Sequence, residues 1–168
     1  MLFPFRPKAA AAVFVHPLDP PPRTAILAPR FRSTRTTRVF PHGWNKRTAN
    51  FAPAALAGNV HRLLAAAMAG ARPTHAVICL TSGVDHLLTE EQRDLLWEVF
   101  GVPIFEQILS PHNVLLASEC AAHTGLHVTS ATHDRVSGLA RCPCGQSTAP
   151  AIAIPPRPSS RRGTGVLM

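Results

Sequence analysis

The stretch from His75 to Leu109, HAVICLTSGVDHLLTEEQRDLLWEVFGVPIFEQIL, carries the clearest secondary-structure signals in the chain. HAVICLTSG has the length and the branched apolar residues of a buried strand, closed by Ser82-Gly83. The following segment is a well-punctuated helix. Thr89 and Gln92 have capping-box spacing, so hydroxyl and amide satisfy first-turn N–H groups. Glu90 and Glu91 sit at the positive end of the helix dipole. Leu95, Leu96, Val99 and Phe100 fall on one face, and Gly101 supplies a left-handed stop. VPIFEQIL then reads as a second strand. Strand, helix and strand with short connections predict a right-handed crossover between two parallel strands.

Outward from this unit the signals weaken. Downstream, NVLLASE and GLHVTS read as strands that either extend the sheet or form a separate layer. Upstream, PAALAGNVHRLLAAAMAGARP (residues 53–73) reads as one helix, with Leu56, Val60, Leu63, Leu64 and Met68 at three- and four-residue steps. Residues 1–52 are rich in Pro, Arg and Thr without a sustained period, and residues 146–168 are of low complexity. The expected fold is therefore α/β: a small βαβ-containing partial domain over residues 53–145, flanked by disordered N- and C-terminal tails. One or two helices leave a sheet face poorly covered, so a protein partner or a metal is expected to help.

Seventeen Lys and Arg against nine Asp and Glu give a net charge of +8, but the charge is segregated. Residues 1–74 hold eleven bases and one acid, residues 75–134 eight acids and one base, and the remainder five bases. Two basic flanks around an acidic body argue less for nucleic-acid binding than the overall charge would. The local candidate for it is Arg32, Arg35 and Arg38, spaced by three beside Phe31, Phe40 and Trp44. No run approaches the ~18 apolar residues that span a bilayer, so no membrane span is expected.

Three of the four cysteines lie between Cys120 and Cys144. Cys120 and His123 are spaced C-x-x-H, and Cys142 and Cys144 are spaced C-x-C. Together they offer the three sulfurs and one nitrogen of a structural zinc site, with His127 or His133 as alternates for the nitrogen. The same cysteines could instead be metal-free thiols, or Cys142 and Cys144 a redox pair. Their use suits a reducing, cytoplasmic setting. Cys79, within an apolar strand, reads as a small buried hydrophobe. Glu106 and Glu119 are a weak acid–base candidate.

FGVPIFEQILSPHNVLLASECAAHTGLHV, with LTEEQRDLLWEVF before it and CPCGQSTAP after it, resembles a segment of the phenylacetate–CoA ligase branch of the adenylate-forming enzymes. In that branch a helix leads into a strand, a Tyr-Gly-x-x-Glu turn follows, and the next strand ends in Glu-Cys ahead of Gly-Leu-His. The resemblance spans about residues 79–150. It implies correspondence for Glu119 and Cys120 at a strand end, His127 in the Gly-Leu-His element, and Cys142 and Cys144 in a later knuckle. The departures are larger. Ile108 and Leu109 stand where that family has Tyr-Gly, no glutamate follows, and the phosphate loop, ribose-binding aspartate and catalytic lysine have no counterpart. Adenylation needs phosphate positioning and charge stabilisation together, so ATP use is not expected. The resulting expectation is a non-catalytic remnant of an adenylate-forming domain with a structural zinc. The alternatives are a carboxylate-activating ligase fragment completed by a partner chain, and a zinc-containing nucleic-acid-binding module.

Overall fold

The computed structural model describes residues 11–82, 87–123, 125–128 and 142–144. Their elements, in chain order, are β1 (Ala12–Val13), β2 (Thr24–Ile26), β3 (Phe31–Arg32), β4 (Thr37–Val39), α1 (Lys46–Asn50), β5 (Ala55–Gly58), α2 (Val60–Met68), β6 (Ala76–Ser82), α3 (Glu90–Phe100), β7 (Ile104–Leu109), β8 (Leu115–Glu119) and β9 (Leu126–Val128). Seven strands form one sheet in the order β4-β2-β5-β6-β7-β8-β9, and β1 pairs with β3 in a separate two-stranded ribbon. The first five strands of the sheet are mutually parallel. β8 and β9 then continue it antiparallel. The fold is α/β.

The crossover is built as its residues dictate. β6 and β7 pair in parallel from Val77↔Ile104 to Ser82↔Leu109, with α3 between them. The Thr89 hydroxyl accepts from Gln92 N–H, the Gln92 side chain accepts from Thr89 N–H, and Gly101 takes φ +65 at the C-cap. The inward face differs from the periodic reading. Arg93, Leu96 and Phe100 are buried, whereas Leu95 and Val99 are exposed together with Trp97.

Two expectations are corrected. The helix expected over residues 53–73 is shorter, because Ala55–Gly58 is β5, a fully buried strand paired on both sides. A parallel strand covered on both faces shows no alternation, and an alanine-rich one mimics a helix. Asn59 caps the true helix by accepting from Arg62 N–H. Met68, expected on the apolar face, is 90% exposed.

The second correction concerns the N-terminal boundary. Residues 11–52 are not an unpacked tail. β2 lies inside the sheet between β4 and β5, and its three residues are all buried. Three-residue strands between prolines are too short to leave a period in the sequence. Residues 1–10 and 146–168 lie outside the described residues.

The sheet separates two layers. Leu63, Ala66 and Ala67 of α2 and Leu96 and Phe100 of α3 pack on one face against Ala25, Leu56, Val77 and Cys79, with Trp44 and Phe51 at the margin. On the other face Phe14 and Phe31 pack on Ile26, Ala57, Ile78 and Phe105. Over these strands, the cover expected from a partner comes from the chain's own N-terminal segment. The sheet thereby carries β8 and β9, with Cys120 just past the end of one and His127 within the other.

Candidate metal centre

β8 and β9 form an antiparallel pair in which Ser118 faces His127 and Glu119 faces Leu126. Side chains alternate along a strand, so Cys120, two residues beyond Ser118, lies on the side that carries His127. Cys142 and Cys144 approach from a turn downstream. The ligand-capable atoms of Cys120, His127, Cys142 and Cys144 all lie within 4.8 Å of one another. Cys120 Sγ is 3.3 Å from His127 Nε2 and 3.7 Å from Cys142 Sγ, and Cys144 Sγ is 3.6 Å from His127 Nε2.

These separations can be compared with a tetrahedron. Bonds of 2.3 Å to sulfur and 2.0–2.1 Å to nitrogen give edges of about 3.8 Å between sulfurs and about 3.6 Å between sulfur and nitrogen. The three distances fall near those values. Cys120 and Cys142 are buried and Cys144 is half-buried. Burial, reinforced by the neighbouring Cys144 and Cys142 thiols, pushes the Cys120 thiol up to about 11. A divalent cation would reverse this shift by stabilising the thiolate, releasing its proton as it binds.

Of the three histidines weighed for the nitrogen, the structure brings His127 into the cluster and places His123 elsewhere. The His123 N–H donates to the Cys120 carbonyl, closing a tight turn, and His123 takes φ +49. Its ring stacks on Phe105 with centroids 4.7 Å apart, and Nδ1 lies 2.6 Å from Glu119 Oε1. The C-x-x-H spacing therefore makes the turn but not the ligand pair, which is a cross-strand one. His133 lies outside the described residues.

Beside the thiol cluster sits a buried ionic group built on Glu106 and Glu119, which the sequence suggested only as an acid–base pair. Arg93 on α3 is 5% exposed, and its Nη1 donates to Glu119 Oε2 at 3.0 Å and to the Ile104 carbonyl at 3.1 Å. Its Nη2 lies 3.7 Å from Glu106 Oε2. Glu106 N–H donates to Glu119 Oε2 at 3.0 Å, and Leu88 N–H donates to Glu106 Oε1 at 2.7 Å. Burial holds the Glu106 carboxyl above its ordinary value, although the Leu88 amide and Arg93 oppose the shift. The one base among the eight acids of residues 75–134 is the signal that could have located this group. The network ties α3, β7 and β8 together immediately before Cys120. Cys79 is a buried hydrophobe on the other side of Glu106, its thiol pushed up to about 12, chiefly by desolvation.

Arg32, Arg35 and Arg38 are all exposed, the first on β3, the last on β4 and Arg35 between the two strands. They belong to an ordered sheet margin rather than to a tail. Among the described residues, no helix is long and apolar enough to cross a membrane.

No family model matches the chain. No curated protein matches it either. The site is therefore interpreted from its own chemistry.

Proposed function

We propose that the chain is a non-catalytic α/β protein, a shortened relative of the adenylate-forming fold, in which Cys120, His127, Cys142 and Cys144 hold one structural zinc. The observation that supports this reading is the convergence of three sulfurs and one imidazole nitrogen within 4.8 Å of one another. Soft thiolates with one imidazole favour zinc over the hard cations magnesium and calcium. Four protein donors fill a tetrahedral shell, which leaves no position for a water or a substrate and so suits structure rather than catalysis. The zinc would fasten the segment 142–144 to the β8–β9 hairpin, closing the sheet where helix cover ends.

Native mass spectrometry of protein purified without chelator tests the reading. One zinc per chain is expected, with Cys142→Ser losing both the metal and melting temperature. A metal-free chain whose stability chelator does not alter would overturn it. Incubation with ATP, magnesium and an aryl acid tests the non-catalytic part. Pyrophosphate release by the isolated chain would replace it with a ligase.

A further inference from the structure

The other end of the sheet carries a second feature that the zinc reading does not use. Between Pro20 and Val84 the chain has nine Lys and Arg and no Asp or Glu. β4 is the outer strand of the sheet, and Arg32, Arg35 and Arg38 are exposed along and beside it. Among the described residues none of the three is paired with a carboxylate. Arg38 and Arg23 instead lie with their guanidinium carbons 5.2 Å and 4.6 Å from the Phe51 ring centroid. Cation–π contact holds them in place while leaving their charge uncompensated. Lys46 and Arg47 add two exposed cations from α1.

β4 runs directly into the loop over residues 41–44, which with His61, Arg62 and Ala65 of α2 bounds a cavity of about 420 Å³. Arg62 donates to the Leu27 and Pro41 carbonyls, both at 2.7 Å, fixing the loop to the helix. The cavity therefore joins an indole and two imidazoles, from His42 and His61, to an arginine-lined strand edge.

We propose that this margin binds single-stranded nucleic acid, with phosphates along Arg32, Arg35 and Arg38 and an unstacked base against Trp44 in the cavity. A cationic track beside an aromatic platform is the combination that such strands require, since charge follows the backbone and any base can stack. Arginine suits the role because its planar fork meets phosphate oxygens in pairs. An acidic peptide would use the arginines but has no flat ring for the cavity. An anionic bilayer would need apolar side chains beside the cations. Beside the arginines only Val13, paired with Arg32, and Val15 are exposed among the large apolar side chains, too little to anchor a bilayer. The exposed Leu95, Trp97 and Val99 lie on α3 among Glu90, Glu91, Asp94 and Glu98, which a negative surface repels.

Fluorescence anisotropy of a short labelled oligonucleotide, as RNA and as DNA, with the full chain tests the proposal. Binding should weaken steeply with salt, and Arg32→Gln/Arg35→Gln/Arg38→Gln should reduce the log–log salt slope by about 2, at roughly 0.7 for each phosphate no longer neutralised. With Trp97→Phe leaving Trp44 as the single indole, single strands should quench its emission and a duplex should not. Binding that is absent, or unchanged in the triple variant, overturns the proposal. So does tighter binding to polyglutamate or to phosphatidylserine vesicles, or equal duplex binding with Trp44 unquenched. Zinc content is read separately, so loss of the metal reading would not be mistaken for loss of this one.

Discussion

His123 and His127 differ by four positions and play opposite parts. At His123 a left-handed turn, with φ +49, directs the ring to Glu119 and Phe105. At His127 strand pairing brings Nε2 to the sulfurs. The spacing of Cys120 and His123 suggested a local knuckle, because sequence separation is all a spacing contains. The real pairing spans two strands, and only the register reveals it. His127→Ala should therefore abolish zinc binding, whereas His123→Ala should keep one metal per chain. Cobalt substitution checks both, since the visible absorption of a tetrahedral thiolate site should vanish in the first variant and persist in the second. His16 offers a different test at the same scale. Its Nδ1 accepts from Leu18 N–H, and its buried Nε2 has no hydrogen-bond partner among the described residues. Burial holds its pKa below the ordinary value of 6.5. The unfolded chain therefore takes up this proton more readily than the folded one, so stability should fall as pH drops below about 6.5. Glu106 acts in the opposite sense, because its raised pKa favours the folded state toward acid. The difference in urea midpoint between the native chain and His16→Phe, followed across pH, isolates the histidine, and a constant difference would refute the assignment.

At the scale of elements, punctuation was more legible than periodicity. Thr89, Gln92 and Gly101 marked both ends of α3 correctly because caps are fixed by local hydrogen bonds and by φ. The inward face was less legible. Arg93 takes a core position only because Glu106 and Glu119 arrive from β7 and β8 to meet it, and no local pattern contains those partners. β5 was hidden for a related reason, since Ala55–Gly58 is buried by strands on both sides and shows neither alternation nor branched residues. Gly58 records its surroundings in another way, because a Cβ added there would stand 3.3 Å from Leu27 Cβ. The cap gives a quantitative expectation. Thr89→Ala removes the side-chain acceptor for Gln92 N–H and should cost about 1 kcal/mol. The urea midpoint should shift without a change in slope, and the metal content should stay unchanged, since the lost hydrogen bond involves only Thr89 and Gln92.

For the whole molecule, the largest difference between sequence and structure lies in where the ordered protein begins. Composition placed residues 1–52 outside the domain because prolines and arginines dilute every apolar signal there. The structure draws both sheet faces through that segment. Ala25 and Leu27 lie in the helix-side core with Leu56 and Leu63, while Phe14, Ile26 and Phe31 lie in the opposite core with Ile78 and Phe105. Such long-range burial cannot be read from short strands whose partners are thirty residues or more away in sequence, as Ala25 is from Leu56. It has a direct consequence for a shortened chain. A protein beginning at Ala52 would retain the βαβ crossover and the Cys/His cluster, yet β5 would become an edge strand with unpaired N–H and C=O groups. The apolar surface of Ala57 and Ile78, which Phe14 and Phe31 cover, would face water. Each buried leucine or phenylalanine withdrawn from such a core costs about 2–5 kcal/mol, and domains of this size are stable by only about 5–15 kcal/mol in total. The shortened chain should therefore lose cooperative thermal unfolding, with or without zinc, while the full chain keeps it. Circular dichroism melting of the two chains decides this, and a cooperative transition at an unchanged temperature in the shortened one would show that the zinc-bearing half folds without β2 and β4.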